Sequence, residues 1–198
     1  MAGIWEAFQA WSTDPIAARR RFQALAADGD PRAQCAFGLM LSSGRGGGTD
    51  PVAAARWLQR AAEQGHPLAC YSLGAAYAEG RGVPADADVA LQWYSRAAEL
   101  GDREAMHALG MLCSADGASP EDLERAVAWW RWAAARGVPA SMRSLGDALA
   151  ATDLPGAAAW WLDAALAGDE PAVEALARVL PSVRAAAETS GAAAWVAA

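Results

Sequence analysis

The sequence predicts an all-α fold, a stack of repeated helical hairpins, on three phased observations. Gly29, Gly65, Gly101 and Gly137 recur at a step of 36 residues. Gly38, Gly74, Gly110 and Gly146 keep the same step. So do Trp57, Trp93 and Trp129, with Trp160 following after a five-residue shortening. Self-similarity at a fixed period of this length marks one supersecondary unit stacked on copies of itself, each too small to bury its apolar face alone. The expectation is one continuous solenoid without a separate second domain. Its first functional expectation is a binding surface rather than an active site.

The elements follow in order. Residues 1–29 read as N-terminal capping helices, with 14–29 supplying only the second helix of a copy. Residues 30–65 are repeat 1. Ala33, Phe37, Gly38 and Leu41 mark its first apolar stripe, and Gly44 and Gly46 break it. Asp50 with Pro51 then restarts a helix carrying Ala54, Trp57, Ala61 and Ala62. Repeat 2, 66–101, is the most regular copy. Ala69, Leu73, Gly74 and Tyr77 form the first stripe, and Gly80 and Gly82 supply the positive φ of a tight loop. Asp86 is placed to accept from free N–H groups at the start of the second helix. Ala90, Trp93, Ala97 and Ala98 follow, and Gly101 ends the copy in a left-handed conformation.

Repeat 3, 102–137, carries Ala105, Leu109, Gly110 and Cys113, then the loop Asp116-Gly117-Ala118-Ser119-Pro120, whose Ser-Pro starts the helix early. Ala126, Trp129, Ala133 and Ala134 complete it. Repeat 4, 138–168, has a shortened loop between Leu145, Gly146, Leu149 and Ala157, Trp160, Ala164, Ala165. Residues 169–198 are a C-terminal half-repeat, with Ala172, Leu176 and Leu180, and a cap or tail. Residues 181–198 leave the pattern, as an Ala-rich helix folding back or as a frayed end. Glycine inside a helix costs ~1 kcal/mol against alanine. Four phased instances therefore predict close approach of two helix backbones. The tryptophans are expected to fill the space between hairpins, each burying on the order of 200 Å².

Composition narrows the function. Of 198 residues, 54% are hydrophobic, enough for a core, and the formal net charge is −7. Residues 1–66 carry seven arginines against six acids, and residues 67–198 nine against seventeen. Nucleic-acid affinity comes largely from a basic face that releases phosphate counterions, so this balance argues against a nucleic-acid partner. No stretch approaches the ~20 apolar residues that span a bilayer, so no membrane partner is expected. Cys35, Cys70 and Cys113 show no paired spacing and read as buried free thiols of a reducing compartment. With no basic or apolar leader at the start, the expected location is cytoplasmic. No HExxH, GxSxG, P-loop or paired His/Cys ligand spacing occurs, so no catalytic residue, metal or cofactor is expected.

Repeat 2 carries, almost complete, the pattern of the Sel-one-like repeat (SLR) family, a relative of the tetratricopeptide repeat. The matching residues are Ala69, Leu73-Gly74, Tyr77, Gly80, Gly82-Val83, Asp86, Ala90, Trp93, Ala97-Ala98 and Gly101. The resemblance runs from about residue 14 to 180, and repeats 3 and 4 depart from it by losing the GxGV loop. It implies a right-handed superhelical solenoid of α-hairpin (TPR/SLR-like) repeats whose first helices line a concave face, and a role as adaptor or scaffold. His66, at the turn between copies, is a position where members of the family often have histidine, which implies a structural role. Projecting that face along the copies gives three rows: Leu39, Ala75, Met111 and Asp147; Ala36, Ser72, Ala108 and Ser144; Arg32, Leu68, Glu104 and Ala140. The candidate partner-binding residues are Leu39, Leu68, Ser72, Glu104, His107, Met111, Arg143, Ser144 and Asp147. A groove that is small and apolar at one end and acidic at the other suits a protein or peptide that is amphipathic or basic.

Three functions compete. The first is a non-enzymatic adaptor. The second is an immunity or inhibitor protein that masks a toxin, which acidic charge would steer onto a basic surface. The third is a β-lactam-interacting enzyme of the kind linked to cysteine-rich SLR proteins. Those carry paired cysteines in each repeat, which this chain lacks.

Overall fold

The structure, a computed structural model, describes residues 2–115 and 117–189, with side chains from 3 to 115 and from 117 to 183. Asp116 of the third loop and the tail at 190–198 lie outside the described residues. Those residues form eleven helices and no strand, so the all-helical expectation holds. The sequence predicts one unbroken array, whereas the chain divides into two compact units, 1–105 and 106–198. The division falls in the third copy, the first whose loop lacks Gly-x-Gly-Val.

The first unit holds α1 (Ala2–Thr13), α2 (Pro15–Ala27), α3 (Pro31–Ser43), α4 (Pro51–Glu63), α5 (Pro67–Glu79), α6 (Ala87–Glu99) and the start of α7 (Arg103–Cys113). Each helix from α1 to α5 packs on the next. The second helices start where a carboxylate replaces the missing intrahelical acceptors. Asp14, Asp50 and Asp86 accept from the N–H of Ala17, Ala53 and Val89 at 3.0, 2.9 and 3.0 Å. Alanines and a few large side chains fill the core, with Phe22, Met40 and Leu73 fully buried. Phe8 and Trp11 of α1 meet Phe22 edge-on at 5.0 and 5.7 Å between ring centres. The second glycine of each Gly-x-Gly loop sits on the start of an earlier helix. Gly46 (φ +74°) lies against the Pro15 carbonyl and Gly82 (φ +77°) against that of Pro51.

The second unit holds the rest of α7, then α8 (Pro120–Ala134), α9 (Pro139–Leu149), α10 (Leu154–Leu166) and α11 (Glu170–Thr189). α8 starts early, as its Ser-Pro predicts. Ser119 and Asp122 bond each other's backbone N–H in a reciprocal cap. The chain does not fold back at residue 181. α11 runs through Pro181 to Thr189. Proline removes the N–H that the Ala177 carbonyl would receive, and Ala177 and Pro181 are both exposed.

Two packing expectations need correction. The mid-helix glycines serve side chains more than backbone-to-backbone approach, which is seen at Gly38, whose Cβ position lies 3.2 Å from the Ala54 carbonyl oxygen. Each is a socket for a large side chain of the following helix. A Cβ on Gly38 would meet Leu58 at 2.9 Å, and one on Gly74 would meet the Tyr94 ring at 2.9 Å. Gly110 and Gly146 are covered in the same way by the indoles of Trp130 and Trp161. The phased tryptophans are likewise one residue away from the deepest position. Trp57, Trp93, Trp129 and Trp160 are half-buried, while Leu58, Tyr94, Trp130 and Trp161 are buried. One residue is a 100° turn of a helix, which carries the phased series to the edge of the interface. There Trp57 packs on Phe37 and under the Arg60 guanidinium.

Candidate functional site

Three clefts open along the first helices of the copies, two in the first unit and one in the second. The largest, about 620 Å³, lies in the first unit between α1, α3 and the start of α5. Phe8 and Trp11 form one wall, Cys35, Ala36 and Leu39 another, with Leu68, Arg32 and His66 at the remaining edge. It therefore takes in Leu39 and Leu68 of the expected residues. It also takes in Phe8 and Trp11, which sequence reasoning missed. Their signal was the aromatic row Trp5, Phe8, Trp11 at a spacing of three residues. Arg32 is held by Asp30, Nη2 to Oδ2 at 2.8 Å, and this guanidinium keeps the Asp30 carboxyl below its ordinary range. Ser72 lines a smaller cleft of about 200 Å³ that shares Leu39 and adds Tyr71, Glu79 and Arg81.

The cleft of the second unit, about 350 Å³, gathers five of the expected residues: His107 and Met111 from α7, and Arg143, Ser144 and Asp147 from α9. Leu123 and Trp130 of α8 close it. The helices present these side chains one turn apart, as i, i+4 spacing requires. His107 Nδ1 lies 2.9 Å from the buried hydroxyl of Ser141. Arg143 holds Asp169 through Nε at 3.0 Å and Asp147 through Nη1 at 3.8 Å. Asp147 also accepts from the indole N–H of Trp161 at 3.0 Å. Its carboxylate is thus committed within the protein and is not a free acidic contact. Ser144 is 8% exposed and donates to the Ala140 carbonyl at 3.0 Å, so its hydroxyl is spent on its own helix. Glu104 stands apart on the exposed side of α7, paired with Arg103 at 3.0 Å.

Both histidines are held toward neutrality. Burial lowers the His66 pKa, with Arg32 adding to that and Asp30 opposing it. Burial and the Arg143 charge lower that of His107. His66 caps α5, its Nδ1 accepting from the Ala69 N–H at 3.3 Å, a role that a protonated ring cannot fill. A folded-state value below the unfolded value of about 6.5 means that the unfolded chain binds the proton more readily. The stability each ring contributes is whole above about pH 6.5 and is lost as pH falls through the lower folded-state values. Asp30 and Asp102 occupy the same repeat position as His66. His66→Asp should therefore keep the cap and lose less stability than wild type between pH 7 and 5, measured by urea denaturation. An unchanged pH profile would show that His66 does not couple to stability.

Cys35, Cys70 and Cys113 are unbridged, and burial pushes the Cys35 thiol up to about 12, which leaves it unreactive. Among the described residues no three His, Cys, Asp or Glu side chains form a metal-ligand set, and no helix is long and apolar enough to cross a membrane.

Known proteins share this architecture. A Sel1 repeat protein from Oxalobacter formigenes is 30% identical over 83% of this chain and 67% of its own, with a TM-score of 0.76. A protective antigen with an SLR fold, present in uropathogenic Escherichia coli strains, is 27% identical over 91% of this chain, with a TM-score of 0.80. This chain spans only 41% of that antigen. An immunity protein from Pseudomonas aeruginosa shares the fold at 21% identity and a TM-score of 0.59, covering 86% of this chain and 67% of its own. No curated protein matches the chain in sequence. Residues 31–66, 67–102 and 103–138 each match the Sel1 repeat family. With more than half the chain in three consecutive matches, this protein belongs to the Sel1 repeat family.

Proposed function

We propose that the chain is a non-enzymatic interaction module, an adaptor or scaffold that holds a protein or peptide along the first helices of its repeats. The Sel1 repeat is generally a non-catalytic protein-interaction fold. The observation that carries the reading is the cleft in which α7 and α9 bring His107, Met111, Arg143, Ser144 and Asp147 together. In this reading residues 30–65, 66–101, 102–137 and 138–168 are the four copies, with caps at 1–29 and 169–198. The unbridged thiols support a reducing, cytoplasmic setting.

The test is affinity capture with the purified chain at two salt concentrations. One stoichiometric partner is expected, lost on Met111→Glu and kept on Leu166→Glu. Leu166 is 79% exposed on the second-helix side and serves as the control. Recovery of the bait alone, or loss only with Leu166→Glu, would overturn the reading. The acidic balance of residues 67–198 supports a second reading, an immunity protein that masks a basic toxin surface. The fold shared with the Pseudomonas aeruginosa immunity protein is compatible with it. In that case the captured partner is a toxin whose activity the chain abolishes at equimolar ratio.

A further inference from the structure

We propose that the indole N–H of Trp130 is the donor through which the α7–α9 cleft recognises its partner, and that the acceptor is a main-chain carbonyl of a peptide. This rests on the interaction reading and names the chemistry of that site. Trp130 is 6% exposed and lines the cleft, and its Nε1 is buried with no hydrogen-bond partner in the protein. Buried indole donors ordinarily find an acceptor, because leaving one unpaired forfeits the hydrogen bond it makes in water.

The chain supplies that acceptor one copy later. Trp161 covers Gly146 as Trp130 covers Gly110. The residue after the glycine in the fourth copy is Asp147, whose Oδ1 takes the Trp161 N–H at 3.0 Å. In the third copy the residue after the glycine is Met111, and no hydrogen bond joins it to the indole. The fourth copy therefore satisfies its indole internally, and the third leaves it for an outside group. Asp147 also shows the direction from which such a nitrogen is reached. In the third copy that direction belongs to Met111, which is 51% exposed. Its unbranched side chain has three rotatable bonds and can swing aside.

Charge selects the acceptor. Arg143 faces two carboxylates, Asp169 and Asp147, so a guest carboxylate meets a surplus of negative charge. Lysine and arginine side chains carry donors only and cannot accept from an N–H. A neutral carbonyl satisfies both conditions, and a peptide main chain offers one at every residue. Apolar side chains flanking that carbonyl would cover Met111 and Leu123, both exposed at the rim.

The test uses the full chain. A displayed library of twelve-residue peptides is panned on it, and the tightest peptide is synthesised as the probe. Its binding is followed in ¹H–¹⁵N spectra of the indole groups, with the Trp130 signal assigned by its loss in Trp130→Phe. Met111→Asp places in the third copy the acceptor that the fourth already has. The expected results are a downfield shift of the Trp130 N–H on binding, a Tm raised by Met111→Asp, and peptide affinity at least tenfold weaker in that variant. Met111→Leu should bind within about twofold of wild type. A peptide that binds without moving the Trp130 signal, or with equal affinity to Met111→Asp, overturns the proposal and leaves the interaction reading standing. A library that yields no saturable binder overturns both.

Discussion

Replacing Gly82 with alanine should be the most damaging single-methyl change in the chain, costing about 3–4 kcal/mol. Two effects add. At φ +77° any Cβ crowds its own backbone, at roughly 1–2 kcal/mol. The added methyl also drives into the carbonyl of Pro51 and lies 2.8 Å from the amide nitrogen of Val52. Both are backbone atoms of a helix start and cannot rotate away, so overpacking adds ~1–3 kcal/mol. Gly101→Ala separates the two effects. Gly101 has φ +90° but nothing within 4 Å of its missing Cβ, so it should lose only the conformational part. Urea denaturation of both variants decides the matter. If Gly82→Ala is no worse than Gly101→Ala, the loop does not clasp the earlier hairpin.

The second large effect is at Gly110. Here alanine gains ~1 kcal/mol of helix propensity and still loses, because the rigid pyrrole edge of Trp130 fills the socket. A net loss of about 1–2 kcal/mol is expected once that gain is set against the overpacking of a rigid, buried ring. At Gly38 the occupant is the smaller Leu58, with the Ala54 carbonyl oxygen 3.2 Å from the Cβ position, and the same substitution should cost less than at Gly110. In a Trp130→Leu background, which recreates the Gly38–Leu58 pair, the penalty of Gly110→Ala should fall to that of Gly38→Ala. Equal penalties at Gly38 and Gly110 in the wild-type background would show that the sockets are not filled as described.

These sockets also show how far the sequence could be read. Phased glycines and tryptophans disclosed the helical copies, and Asp50 with Pro51, Asp86, and Ser119 with Pro120 disclosed where their second helices start. Periodicity alone did not say which neighbour of each tryptophan turns inward. Leu58, Tyr94, Trp130 and Trp161 share a position but hold three residue types, so no consistent repeat signal marks them. The residues that α7 and α9 bring together were reached by projecting the face that the resemblance implies along the copies. The chemistry of their cleft was not legible, because Asp147 and Ser144 look available in sequence and are bonded within the fold. The unpaired indole emerges only when Met111 is set beside Asp147 and the space over the two glycines is known.

The socket and the clasp differ in one further respect. Each glycine and the side chain that fills it lie within the same copy, so a duplicated or deleted copy carries its own matched pair. The clasp reaches into the preceding stretch, but what Gly82 touches there is main chain, which every residue provides. For these two devices an in-frame gain or loss of a stretch such as 66–101 thus needs no compensating substitution. Neither the socket nor the clasp fixes the number of copies.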